Sequence, residues 1–134
     1  MSRADLIKKV FLIGVFDMFH EGHFNLLWKA SRLGNLTVGI VKDKAVKVQK
    51  GDDRPIYNES FRNKLVGNLK MVCDTILLDD FAFPKEIFNK YDFIILGEDQ
   101  SHLKNIGDIP HNKLVIFPRT PNVSTSDIVK KLKG

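Results

Sequence analysis

Short apolar runs alternate along the chain with segments in which apolar residues recur at helical spacing. The first run, residues 10–16, has no polar side chain, which predicts a strand that is buried on both faces. Similar runs predict strands at residues 36–41, 75–78, 93–96 and 114–117. Five short strands separated by longer segments are typical of a sheet whose strands are joined by helices.

Helical spacing follows the first strand, where Phe24, Leu27, Ala30 and Leu33 lie on one face and Gly34 provides a stop. Further helices are predicted at about residues 58–72, 84–90 and 125–131. Their starts are marked by an Asn58 N-cap, by Pro84, and by a capping box of Ser124 with Asp127. Residues 42–57 are polar and are predicted to be irregular.

Strand and helix in alternation predict one domain over residues 1–134, with a Rossmann-like three-layer α/β/α fold around a five-stranded parallel sheet. In such folds ligands bind beyond the carboxyl ends of the strands. Polar segments directly follow three predicted strands, at residues 14–23, 97–99 and 119–126. We therefore expect these three segments to meet at one edge of the sheet.

Composition narrows the class of protein. A formal net charge of +5 in 134 residues favours polyanions or phosphorylated small molecules as ligands, and no pattern typical of nucleic-acid binding accompanies it. The single cysteine, Cys73, excludes an internal disulfide and fits a reducing compartment. Because there is no signal-peptide pattern and no apolar run near ~18 residues, a cytoplasmic protein without membrane insertion is expected.

The motif His20-Glu21-Gly22-His23 opens the first predicted helix and has three interpretations. A metal site would need further ligands, and neither the remaining histidines nor Cys73 has suitable spacing. A purely structural role would leave one histidine as a helix cap. A phosphate site fits best, because free backbone N–H groups and the helix dipole attract anions there and both rings can donate hydrogen bonds.

Further candidates accompany this motif. Arg119 and the hydroxyls that follow it form a second possible anion cradle at a helix start, and Lys50 lies in a polar loop that could close on phosphates. Glu98 and Asp99 end a buried strand with carboxylates that could bind a ribose or base. The sequence contains neither a Walker A motif nor a G-x-G-x-x-G fingerprint. The hydroxyl residues that follow Arg119 in the second possible anion cradle are Thr120, Ser124, Thr125 and Ser126.

These segments together resemble the cytidylyltransferase family of HxGH nucleotidyltransferases, over about residues 9–132. The likeness lies in GVFDMFHEGH, in KG followed by R-P, in the helix with Arg62, in GED and in RTPNVSTSDIV. It is greatest to the bacterial glycerol-3-phosphate cytidylyltransferases, and the RT before VST favours CTP. The resemblance implies a reaction in which CTP and a small phosphorylated alcohol give a CDP-alcohol, for a surface polymer or lipid head group, and pyrophosphate.

The resemblance also implies roles for particular residues. His20, His23, Lys50 and Arg119 would be catalytic, and Mg²⁺ would accompany CTP, held by phosphate oxygens and water rather than by protein side chains alone. The implied nucleotide-binding residues are Val15, Phe16, His20, Glu21, Gly22, His23, Lys50, Asp99, Arg119, Thr120, Ser124, Thr125 and Ser126. The implied acceptor-binding residues are Asp17, Lys47, Arg62 and Lys70. Small members of the family are generally homodimers, so a homodimer is expected.

The acceptor stays open at this point. The family's glycerol-3-phosphate enzymes carry another substrate lysine two positions before Lys50, where this chain has Val48 with Lys47 adjacent. Two alternatives to a cytidylyltransferase also remain. One is an adenylyltransferase of the same fold that makes an FAD- or ADP-sugar-type product from ATP. The other is a non-catalytic nucleotide sensor.

Overall fold

The computed structural model describes residues 7–98, 100 and 102–120, and within them five strands form one parallel sheet. The strands are β1 (Lys9–Gly14), β2 (Asn35–Val41), β3 (Asp74–Leu78), β4 (Phe93–Gly97) and β5 (Leu114–Phe117). Their order across the sheet is β3-β2-β1-β4-β5, and every neighbouring pair is parallel. The prediction of a five-stranded parallel α/β fold of Rossmann-like type is confirmed.

Helices cover both faces of the sheet. They are α1 (Glu21–Ser31), α2 (Asp43–Lys50), α3 (Glu59–Gly67) and α4 (Ile87–Lys90), with a 3₁₀ turn at Ile106–Asp108. Buried residues of α1 and α3 pack with Val10 and Leu12 of β1. Buried residues of α2 and α4 pack with Phe11 and Ile13 on the other face. Three layers result, as the sequence predicts.

The central strand β1 owes its position to its unbroken apolar sequence. Val10, Phe11, Leu12 and Ile13 have no exposed surface, because successive side chains point to opposite faces and both faces are covered. Burying each such side chain contributes about 1.5–3 kcal/mol. The chain builds outward from β1 through β2 to β3, then crosses to β4 and β5 on the other side. A crevice at the carboxyl ends of β1 and β4 follows from this reversal.

Two predicted segments differ from the structure. Residues 43–50 form the helix α2 rather than an irregular loop, although only Val46 of this helix is buried and most of its other residues are polar. One buried apolar position is too weak a periodic signal for a sequence pattern to detect. The helix predicted to reach residue 72 is capped by Asn58 as expected, but it ends at Gly67 with Asn68 as its C-cap.

The predicted helix at residues 84–90 is shorter in the structure, where α4 covers only its last turn. The predicted helix at 125–131, with its capping box of Ser124 and Asp127, lies outside the described residues. Among the described residues, no helix has the length and apolar character needed to cross a membrane.

Candidate functional site

The loop between β1 and α1 bends sharply at two residues in left-handed backbone conformations. Phe16 has φ 58° and Met18 has φ 47°, values that residues other than glycine adopt rarely and that are often found at functional sites. Phe16 turns its ring back over Gly14, where an added Cβ would lie 2.5 Å from the ring. Glycine at position 14 is therefore required for this packing. The bend also explains why β1 ends before the apolar run does.

The two histidines of the HxGH motif cap the start of α1 reciprocally. The Gly22 backbone N–H donates to Nδ1 of His20 at 3.0 Å, and the His20 backbone N–H donates to Nδ1 of His23 at 3.2 Å. Because each Nδ1 accepts a hydrogen bond, the neutral form of each ring carries its proton on Nε2. Capping and ligand binding therefore use different nitrogens of the same rings.

Burial keeps both rings uncharged near neutral pH. Removal from water lowers the pKa of His23 from its ordinary value of 6.5 to about 3, and the charges of His20 and Lys50 act in the same direction. Burial also lowers the pKa of His20, with a further contribution from the Arg119 charge. The ring centroids are stacked 3.8 Å apart, so two cations at this distance would repel each other. The lowered pKa values therefore favour a pair of neutral rings, each able to donate a hydrogen bond through Nε2.

A cavity of about 250 Å³ opens at the carboxyl ends of β1, β4 and β5, where α1 begins. The residues predicted for the site that line this cavity are Val15, Phe16, Asp17, His20, Gly22, His23, Lys50, Arg119 and Thr120. The structure thus brings the HxGH segment, Lys50 and the start of the RTxxxST segment together. The remaining predicted residues of the cradle and strand end, Asp99, Ser124, Thr125 and Ser126, lie outside the described residues.

Hydrogen bonds hold the end of β5 against β4 and α1. The Arg119 backbone N–H donates to a carboxylate oxygen of Glu98 at 2.8 Å. The side-chain amide of Asn25 on α1 donates to the Thr120 hydroxyl at 3.2 Å. Glu98, proposed from sequence as a ligand for ribose or base, therefore takes part in positioning Arg119. The hydrogen bond between Asn25 and Thr120 joins residues that are 95 positions apart in sequence.

Arg62 is a structural residue in this fold and does not agree with its predicted acceptor-binding role. Its side chain is fully buried, and the guanidinium donates to the carbonyl oxygens of Tyr57, Val15 and Val41. It also pairs with Asp43 at 2.6 Å. A substrate has no access to this guanidinium, because the ends of β1 and β2 and the start of α2 enclose it.

Other predicted residues also lie away from the cavity lining. Glu21 lies in the first turn of α1 and is exposed, and Lys47 is exposed on α2, with its Nζ donating to the Asp52 carbonyl at 3.5 Å. Lys70 precedes β3 and is therefore at the amino end of a parallel strand, whereas the cavity is at the carboxyl ends. The structure does not bring Lys47 or Lys70 to the histidine pair.

Asp17 lines the cavity and also organises the loop opposite. It is 1% exposed, and its two oxygens accept the backbone N–H groups of Ile56 at 2.7 Å and Tyr57 at 2.8 Å. The Asp17 carboxylate therefore attaches the chain that follows α2 to the loop that follows β1.

Several lining residues were not identified from the sequence. Gln100 donates to the Ile13 carbonyl at 2.9 Å and accepts from the Gly97 backbone N–H at 2.8 Å, which links the ends of β1 and β4. The position of Gln100 just after a strand could have identified it. Other unpredicted lining residues are Asn25, Lys29, Arg54 and His102.

The cavity is electropositive. Among its described lining residues, the cations Lys29, Lys50, Arg54 and Arg119 face one carboxylate, that of Asp17. The N-terminal end of α1 adds partial positive charge. Within the described part of the chain, no group of three or more histidine, cysteine, aspartate or glutamate side chains could hold a metal ion. The arrangement suits highly charged phosphate groups.

The sequence is similar to a known protein family and to known bacterial proteins. A family model described as cytidylyltransferase-like matches residues 11–131. The bifunctional protein HldE of Campylobacter fetus subsp. fetus (strain 82-40) is 32% identical over 93% of this chain and 28% of its own length. HldE of Helicobacter pylori (strain P12) is 35% identical over 99% of this chain and 29% of its own length. The chain thus spans less than a third of these relatives.

Among solved structures, the lipopolysaccharide core biosynthesis protein of Thermoplasma volcanium GSS1 has a similar fold. It superposes with a TM-score of 0.62 and 28% sequence identity, covering 85% of this chain and 97% of that protein.

Proposed function

The chain belongs to the cytidylyltransferase-like family of nucleotidyltransferases, and from that premise we propose that it transfers CMP from CTP to a small phosphorylated alcohol. A phosphate oxygen of the acceptor attacks the α-phosphorus, the bond to the β-phosphate oxygen breaks, and pyrophosphate leaves. The products are a CDP-alcohol and pyrophosphate. The observation that carries the proposal is the pair of neutral, stacked histidines at a helix N-terminus inside a cationic cavity.

This chemistry needs positioning and charge stabilisation, and it needs no covalent nucleophile. His20 and His23 would donate Nε2–H hydrogen bonds to the α-phosphoryl oxygens, on which charge develops in the transition state. Lys50 would neutralise charge between the two substrates, and Arg119 with Thr120 would bind the leaving pyrophosphate. Backbone at Val15 would line the nucleotide cleft. Mg²⁺ would accompany the triphosphate, with phosphate oxygens and water as its ligands.

Support for CTP comes from the family description and from Arg119-Thr120, which begin an RTxxxST segment. A second candidate is an ATP-dependent transfer of AMP to a sugar phosphate, and a specific observation supports a sugar-phosphate acceptor. The solved relative is named for lipopolysaccharide core biosynthesis, and a lipopolysaccharide core is a saccharide. A nucleotide sensor is a weaker candidate, because binding alone would not require two neutral donors together with Lys50.

A pyrophosphate-release screen tests these candidates. The protein is incubated with Mg²⁺ and either CTP or ATP, against glycerol 3-phosphate, phosphoethanolamine, phosphocholine, FMN and a set of sugar phosphates. Release with CTP and a phospho-alcohol is the expected result, and release with ATP and a sugar phosphate or FMN would establish the adenylyltransferase instead. Nucleotide binding without release for any pair would favour the sensor. The homodimer stays a prediction, which sedimentation velocity would test.

A further inference from the structure

Arg54 lies in the turn that follows α2 and lines the same cavity as the histidine pair. Its backbone N–H donates to the Gly51 carbonyl at 3.1 Å, which folds this turn back on the end of α2. Gly51 has φ 107°, a conformation that residues with side chains rarely adopt, so the turn is suited to glycine. Arg54 and Lys50, the last residue of α2, therefore enter the cavity from the same side.

The guanidinium of Arg54 is buried without being fully hydrogen-bonded. The residue is 8% exposed, and its enclosed Nε makes no hydrogen bond in the structure. The nearest carboxylate oxygen, Oδ2 of Asp17, lies 3.7 Å away, which is an ionic contact beyond hydrogen-bond distance. That carboxylate already accepts the backbone N–H groups of Ile56 and Tyr57. Because a buried charged group whose hydrogen bonds are incomplete is costly, Arg54 is suited to an anion that enters the cavity.

Arg54 and Arg119 approach the histidine pair from different sides. Arg119 follows β5, which lies beyond β4 on one side of β1, whereas α2 and its turn follow β2 on the other side. Displacement at phosphorus proceeds in line, with the attacking and leaving oxygens on opposite faces of the phosphoryl group. Arg119 is therefore on the side of one of these two groups, the attacking or the leaving group, and Arg54 and Lys50 are on the side of the other.

We propose that Arg54 binds the phosphate group of the acceptor, while Asp17 holds the guanidinium in position. The planar guanidinium pairs with two phosphate oxygens at once, a geometry that lysine does not reproduce. This assignment rests on the proposed function and deepens it, because it makes the acceptor a phosphomonoester whichever nucleotide is used. It also gives a role to the arginine of the R-P pair, Arg54-Pro55, for which the sequence pattern alone predicts no role.

Steady-state kinetics of Arg54→Ala and Arg54→Lys test the assignment. With the substrate pair found in the screen, Arg54→Ala should raise the acceptor KM about 10- to 100-fold and leave the nucleotide KM nearly unchanged. Arg54→Lys should recover part of that loss, since the charge returns without the planar fork. Arg32→Ala is the matched control, because it removes the same charge from an exposed position at the end of α1. An unchanged acceptor KM, or equal increases in both KM values, would overturn the assignment.

A binding measurement keeps the assignment testable if the screen finds no turnover. Pyrophosphate is added at saturation to fill the leaving-group side, and inorganic phosphate is then titrated by calorimetry. The unaltered chain should bind phosphate, Arg54→Ala should bind it at least about tenfold more weakly, and Arg32→Ala should match the unaltered chain. Equal affinity in Arg54→Ala, or no phosphate binding by the unaltered chain, would refute the assignment. Failure of the screen alone would reject only the proposed transfer reaction.

Discussion

At the scale of single residues, His20 and His23 each use Nδ1 to cap α1, which makes Nε2–H the donor of the neutral ring. An asparagine side chain can accept the same capping hydrogen bond but lacks the reach of Nε2. Replacing either histidine with asparagine should therefore keep the helix cap and remove only the Nε2–H donor that the proposed chemistry requires.

His20→Asn and His23→Asn should each lower kcat by about 10²–10³ while the protein remains folded, because a preorganised donor to the transition state is lost. The measurement is pyrophosphate release, with circular dichroism to check the helix content. His111→Asn serves as the control, since His111 is exposed and lies outside the cavity lining. Normal turnover in either histidine variant would refute the proposed role.

The buried imidazole of His23 should make stability depend on pH. The unfolded chain binds a proton there near pH 6.5, whereas the folded chain does so only near its pKa of about 3. The contribution of His23 is therefore fully present above pH 6.5 and is lost as the pH falls from 6.5 towards 3. Urea unfolding at several pH values should show that His23→Asn loses less stability on acidification than the unaltered chain. Parallel pH profiles for the two proteins would contradict this assignment.

At the scale of elements, Arg62 joins four segments through one guanidinium. From α3 it reaches the ends of β1 and β2, the start of α2 and the Tyr57 carbonyl. The sequence pattern predicts that Arg62 contacts the acceptor substrate, whereas in the structure it contacts these four segments. The sequence shows that a guanidinium is present at position 62. The direction in which that side chain points depends on where α3 packs.

Arg62→Ala should reduce the free energy of unfolding by about 3–5 kcal/mol, because it leaves Asp43 and three carbonyl groups without their donor. Arg62→Lys should recover little, since an ammonium cannot match this fork of donors. Urea denaturation followed by circular dichroism measures the change. Lys64→Ala, an exposed substitution on the same helix, should have an effect within about 0.5 kcal/mol. A loss no larger than that of the control would show that the network contributes little.

At the scale of the whole molecule, the cavity is lined by segments that are distant in sequence. A ligand bound there contacts several elements at once, so it should stabilise the whole fold and not a single element. A nucleotide at 100 times its Kd should raise the free energy of unfolding by about 2.7 kcal/mol. We expect CTP with Mg²⁺ to raise the melting temperature by more than ATP does, as differential scanning fluorimetry would show. A larger shift with ATP would favour the adenylyltransferase.

The sequence by itself determined the sheet and the position of the motif proposed to bind phosphate. An unbroken apolar run such as residues 10–13 can only be buried on both faces, and polar segments after parallel strands must share one edge. These are local or topological signals. They suffice for β1 and for His20 and His23, and they also predict that Lys50 and Arg119 lie near the histidines, where both residues line the cavity.

Only the tertiary structure decided which charged side chains line the cavity and which hold the surrounding segments together. Arg62 and Arg54 are both arginines, yet Arg62 is enclosed by four hydrogen-bond partners, whereas Arg54 lines the cavity with an Nε that makes no hydrogen bond and lies 3.7 Å from Asp17. The direction of β3 places Lys70 at the edge of the sheet opposite to the cavity. The orientation and burial of a long side chain depend on packing between distant segments, and no local pattern encodes them.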